Sequence, residues 1–67
     1  MDDPYETLGV DRNATAPDID KAFRKKSVKL HPDAGGDAED FKALNESRSL
    51  LLNPDDRQHY DRTGQLR

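Results

Sequence analysis

The sequence contains no cysteine and no tryptophan. Without cysteine there can be no disulfide, no thiolate metal site and no cysteine nucleophile, although small domains often rely on the first two. Valine and isoleucine together number three (Val10, Ile19 and Val28), and no apolar alternation persists, so no stretch reads as a strand. The longest apolar run is Leu50-Leu51-Leu52. That is far short of the roughly 20 residues a membrane span needs, and it cannot serve as a signal peptide. Sixty-seven residues suffice for one small domain, expected over 1–67 with its core at about 3–64. A chain of this size buries only about 60% of the surface its unfolded form exposes, which makes its stability marginal and leaves no room for a large catalytic cleft. The expectation is a compact monomeric binding module, cytoplasmic and not an enzyme.

What the chain has in quantity is charge. Charged residues are 37% of it, against 31% hydrophobic, and 14 acidic and 11 basic residues give a net charge of −3. The distribution says more than the sum. Lys21, Arg24, Lys25, Lys26 and Lys29 lie in a nine-residue segment that holds no acid, and without those five bases the −3 becomes −8. An acidic body thus carries one basic strip, which argues against bulk affinity for nucleic acid and is the first clue to function.

Four helix starts are legible, each with a capping rationale. Asp3-Pro4 offers an N-cap acceptor before a proline at the first helical position, with Glu6 three residues after the cap. Gly9 is a natural stop, because glycine takes the left-handed conformation cheaply. Thr15-Ala16-Pro17-Asp18 repeats the arrangement for a second helix running to about Leu30, where Pro32 disfavours helical geometry at His31. Asp37 caps a third helix, with Asp40 three residues on. Asn53-Pro54-Asp55-Asp56 ends that helix and starts a short fourth, closing near Gly64. Leu66 and Arg67 are expected to fray. The fold class is therefore all-α, with helices two and three as an antiparallel hairpin joined by a tight loop.

Helical spacing assigns the faces. Ile19, Phe23, Lys26 and Leu30 share one stripe of the second helix, flanked by Ala22 and Ser27, and Phe41, Leu44, Arg48 and Leu51 share one stripe of the third. Tyr5, Leu8 and Val10 close the core. Lys26 and Arg48 interrupt the apolar pattern and are expected at the stripe edges, stems buried and charges in water. The opposite face of the second helix holds Lys21, Arg24, Lys25 and Lys29 with Val28 among them. Most charge runs are merely solvated. Here, though, acids near the strip are confined to its start, at Asp18 and Asp20, and like charges at i,i+4 repel by a few tenths of a kcal/mol per pair. A docking face recovers that cost, whereas a solvated one does not.

The loop that follows reads His31-Pro32-Asp33-Ala34-Gly35-Gly36-Asp37. Placed at the tip of a helical hairpin, directly after a basic helix, it resembles the signature of the J-domain, the unit shared by DnaJ-type co-chaperones. Four blocks in order carry the resemblance: Pro4-Tyr5-Glu6-Thr7-Leu8-Gly9-Val10; Lys21-Ala22-Phe23-Arg24-Lys25 leading to Leu30-His31-Pro32-Asp33; Phe41-Lys42-Ala43-Leu44-Asn45-Glu46; and Leu51-Leu52-Asn53-Pro54 leading to Arg57 and Tyr60-Asp61. The resemblance implies a four-helix fold that docks on a DnaK-type heat-shock chaperone and stimulates ATP hydrolysis in that partner. By position it implies that His31, Pro32 and Asp33 are the signature residues, with Asp33 meeting a basic group near the partner's interdomain linker. Arg24 and Lys25 would face an acidic surface, with Phe23 and Phe41 at aromatic positions near the contact. Lys21, Val28 and Lys29 complete the expected partner-binding set.

The chain departs from the family pattern in places. Ala34 stands where members usually carry a base, and Asp20 occupies a position that is commonly basic and partner-facing. Lys26, Ser27 and Arg48 replace a leucine, an alanine and an aromatic. The first two differences bear on coupling to the partner, the others on packing.

Other chemistry fits poorly. Two histidines among scattered carboxylates form no ligand cluster, so no metal or other cofactor is expected, and His59 reads as a surface residue. Pro32 separates His31 from Asp33, and no nucleophile is fixed beside them, so no catalytic residue is assigned. Gly35-Gly36 lacks the Gly-Lys-Ser/Thr ending of a phosphate loop, and Asn13-Ala14-Thr15 and Asn45-Glu46-Ser47 match the glycosylation pattern by chance. A helical nucleic-acid-binding module would explain the basic strip but not the acidic remainder or the loop. A J-domain excised from a longer protein is the other alternative, because no client-binding segment accompanies these blocks.

Overall fold

Each helix begins where a side chain satisfies its first amides. In the computed structural model, which describes residues 3–31, 33 and 35–65, α1 spans Pro4–Leu8, α2 Ala16–Leu30, α3 Ala38–Leu52 and α4 Pro54–Thr63. The Asp3 carboxylate accepts from the Tyr5 amide at 3.0 Å. Thr15 and Asp18 form a reciprocal capping box, each side chain accepting from the other's backbone amide. Asn53 closes α3 and caps α4 at once, its Oδ1 accepting from the amides of Asp55 and Asp56. Asp37 caps α3, bonding the amide of Glu39 at 2.7 Å. Gly9 and Gly64 end α1 and α4 in the left-handed conformation, at φ 75° and 72°. The all-α expectation holds, and no strand occurs among the described residues. Leu66 and Arg67, expected to fray, lie outside the described residues, as do Pro32 and Ala34.

α3 is the central element, packing against α2, α1 and α4. Tyr5, Leu8, Ala14, Ile19, Leu44 and Leu51 form the buried core, with Val10, Phe23, Leu30, Leu50, Leu52 and Tyr60 packed around it. Burying one such leucine or isoleucine stabilises the fold by about 1.5–3 kcal/mol. Ser47 on α3 is fully buried as well, at a position the apolar stripe passes over.

Both stripe-edge cations are half-buried and find partners on other elements. Lys26 Nζ donates to the Thr7 carbonyl at 2.9 Å, tying α2 to the last turn of α1. Carbonyls at a helix C-terminus lack intrahelical donors, and a lysine ammonium supplies one. Arg48 is likewise engaged. Its Nε donates to Asp20 Oδ1 at 2.9 Å, and its guanidinium lies 5.1 Å from the Phe23 ring centroid.

α4 buries no residue fully and is held by a polar clamp around Tyr5. The Tyr5 hydroxyl donates to Asp61 Oδ1 at 2.5 Å and accepts from Arg57 Nε at 3.1 Å. The guanidiniums of Arg12 and Arg57 lie 5.3 and 5.6 Å from the same ring, and Arg57 also donates to the Arg12 carbonyl. A ring flanked by two cations, with its hydroxyl satisfied on both sides, fastens α4 to α1 without a large apolar interface.

Candidate functional site

The hairpin tip is built from the end of α2, the loop and the start of α3. His31 leaves the helix in an extended conformation, at φ −61° and ψ 133°, as the residue before a proline should. Its backbone still serves the turn: the amide donates to Ser27 O at 2.9 Å, and the carbonyl accepts from Gly36 at 3.1 Å. Gly35 sits at φ 86°, a left-handed conformation that favours glycine. Gly36 is required for a different reason. A Cβ there would run into the backbone carbonyl of Leu30, so the loop folds back against the end of α2 only with glycine at this position.

The side chains of the tip divide into a support and a projection. The His31 ring meets Phe41 of α3 edge to face, with centroids 5.1 Å apart and planes at 73°. Its Nδ1 accepts from the Asp33 amide at 3.1 Å, which places the ring proton of the neutral imidazole on Nε2. The Asp33 carboxylate remains 94% exposed and comes no nearer than 3.7 Å to the imidazole. Its backbone is held while its charge faces solvent.

The basic residues occupy α2 behind the tip. Lys21, Arg24, Lys25 and Lys29 are exposed, and none pairs with an acid among the described residues. Asp20, the acid nearest Arg24 in sequence, is taken by Arg48. Val28 is 72% exposed, an isolated large apolar side chain amid these cations. Phe23 and Phe41 are half-buried, Phe23 beneath Arg48 and Phe41 beside His31. The structure thus brings His31, Asp33 and Phe41 together at the tip and puts Arg24 and Val28 on exposed α2, while Phe23 lies between the hairpin helices. Sequence spacing missed Arg48 as a neighbour of this surface, because its links to Asp20 and Phe23 cross between helices.

Among the described residues no cluster of three or more histidines and carboxylates is placed to hold a metal ion, and no helix is long and apolar enough to cross a membrane.

Comparison with known proteins adds a family. A family model described as DnaJ domain matches residues 3–61. The chain is 54% identical over 63 residues to a chaperone protein DnaJ of Bifidobacterium longum, covering 91% of this chain and 16% of that protein. It is 48% identical over 61 residues to DnaJ protein homolog 2 of Allium porrum, covering 91% of this chain and 15% of that one. With a chaperone protein DnaJ of Carboxydothermus hydrogenoformans the identity is 48% over 66 residues, covering 92% and 17%. The chain therefore spans about a sixth of the length of these curated relatives.

Proposed function

This chain belongs to the DnaJ domain family, and we propose from that membership that it docks on a DnaK-type heat-shock chaperone and stimulates the partner's ATP hydrolysis. The observation that carries the reading is the hairpin tip, where a held backbone presents a solvent-facing Asp33 carboxylate ahead of α2 cations that pair with no acid among the described residues. In this reading the catalytic groups belong to the chaperone, and the chain contributes binding energy. Docking shifts the partner toward hydrolysis only by the difference in affinity between its poised and resting conformations. Lys21, Arg24, Lys25 and Lys29 steer the encounter toward an acidic surface, with Val28 as an apolar contact among them. Asp33 then supplies a charge-assisted contact to a base on the partner. His31 and Phe41 hold the loop that carries it, and Phe23 supports the hairpin through Arg48.

Surface plasmon resonance against an ATP-bound DnaK-type chaperone tests the docking. Binding should weaken as salt rises and should be lost with Asp33→Asn. Equal binding by a folded Asp33→Asn variant would contradict the proposed contact. Tighter binding to a mixed-sequence DNA duplex than to the chaperone would favour a nucleic-acid module instead.

A further inference from the structure

Asp20 stands four residues before Arg24 on α2. Side chains at this spacing are neighbours on a helix, and a carboxylate N-terminal to a base is the favoured orientation for pairing. Of the positions three and four residues from Asp20 (Ala16, Pro17, Phe23 and Arg24), Arg24 alone is a base. The two side chains also border one shallow depression, with Ala16, Pro17 and Lys21. Yet the local pair does not form. Asp20 Oδ1 accepts instead from Arg48 Nε of α3 at 2.9 Å, and Arg24 forms no ion pair with a described residue. Arg48 wins this competition because more than charge sets its place. Its guanidinium lies 5.1 Å from the Phe23 ring centroid, so the ring orders the side chain that meets the carboxylate. Arg24 is exposed and would have to surrender its rotamer freedom to make the same pair.

We propose that Arg48 is a positioning residue for docking: by engaging Asp20 from α3, it keeps that carboxylate off Arg24 and leaves Arg24 unpaired for the partner. The inference rests on the chaperone-docking reading above and assigns a role in it to a residue outside α2. Without Arg48, the Asp20 carboxylate turns to Arg24, the one base within its helical reach. The docking face then loses a steering cation and keeps an acid beside the place it occupied. Arg48 acts through Asp20 and Arg24 and needs no contact of its own with the partner.

Arg48→Gln tests the proposal, because it removes the charge and keeps a stem against Phe23. In heteronuclear NMR of the full chain alone, the Arg24 Nε–H signal should shift in Arg48→Gln. It should return in the double variant Asp20→Asn, Arg48→Gln. Surface plasmon resonance against an ATP-bound DnaK-type chaperone reads the consequence. Arg48→Gln should weaken binding about threefold, chiefly through slower association, and the double variant should recover the parent affinity. In an Arg24→Gln background Arg48→Gln should cause no further loss, a dependence that lost stability alone would not produce. Arg62→Gln on α4 changes the net charge equally and should bind as the parent chain does. Helical circular dichroism confirms that each variant is folded. An unmoved Arg24 signal overturns the proposal whether or not the chaperone binds. So does parental binding by Arg48→Gln, no recovery in the double variant, or an undiminished loss in the Arg24→Gln background. Absence of binding by the parent chain contradicts the docking reading instead, and the NMR result still decides whether Arg48 keeps Asp20 from Arg24.

Discussion

Arg48 Nε lies 2.9 Å from Asp20 Oδ1, joining the end of α3 to the start of α2 across 28 positions of sequence. Taken separately, each residue is a departure from the family pattern: an acid where bases are common, and a cation where an aromatic is common. Together they are one interaction, and Arg48 further covers the Phe23 ring. The pair bridges the hairpin at the end away from the loop. Both side chains are about two-fifths exposed, so solvent screens the attraction. A double-mutant cycle of Asp20→Ala and Arg48→Ala, followed by urea denaturation, should give a coupling of about 0.5–1 kcal/mol. Arg48→Ala alone should cost more than Asp20→Ala, because it also removes the contact with Phe23.

Gly36→Ala should separate loop geometry from helix formation. The added methyl meets backbone, the Leu30 carbonyl, and backbone cannot rotate away as a side chain can. A cost of about 1–3 kcal/mol is expected, with helical circular dichroism retained at low temperature. Stimulation of a chaperone ATPase should fall much further than the loss of folded protein accounts for. Normal stimulation would show that Asp33 is presented without the observed turn.

Tyr5→Phe should loosen α4. It leaves Asp61 and Arg57 without the hydroxyl that joins them, at a cost of about 1–3 kcal/mol. Amide exchange in α4 should accelerate more than exchange in α3.

Stability should also fall at alkaline pH. Burial, and then the hydrogen bond to Asp61, raise the Tyr5 pKa above its usual 10.0, while burial and the neighbouring Asp3 raise that of Tyr60. Both tyrosines therefore ionise more readily in the unfolded chain. Their contribution is complete below pH 10.0 and is lost as pH rises through the folded-state values. Thermal melts should drop above pH 10, and Tyr5→Phe should reduce the slope. A melting temperature that rose there would contradict the assignment.

The local grammar of the chain was readable and its long-range pairings were not. Asp3, Thr15 and Asn53 cap the helices they precede, and Gly9 and Gly64 stop the helices they follow, because capping involves only residues a few positions apart. The stripes of α2 and α3 likewise located Ile19, Leu44 and Leu51 in the core. The partners of Lys26 and Arg48 were not legible because they lie 19 and 28 residues away, beyond any helical period. Ser47 was overlooked because burial of a small hydroxyl leaves no apolar signature. At the tip, His31-Pro32-Asp33 stood out as a motif. The division of labour within it, a ring accepting from the Asp33 amide while braced by Phe41, depends on side-chain directions that sequence spacing does not encode.

The central claim is that this domain switches on another protein's ATPase through Asp33. Its most direct test is the single-turnover hydrolysis rate of a DnaK-type chaperone preloaded with ATP, measured alone, with this chain, and with its Asp33→Asn variant. The chain should accelerate hydrolysis, and the variant, folded to the same melting temperature, should leave the rate at its unstimulated value. Full acceleration by Asp33→Asn, or none by the parent chain, would contradict the account.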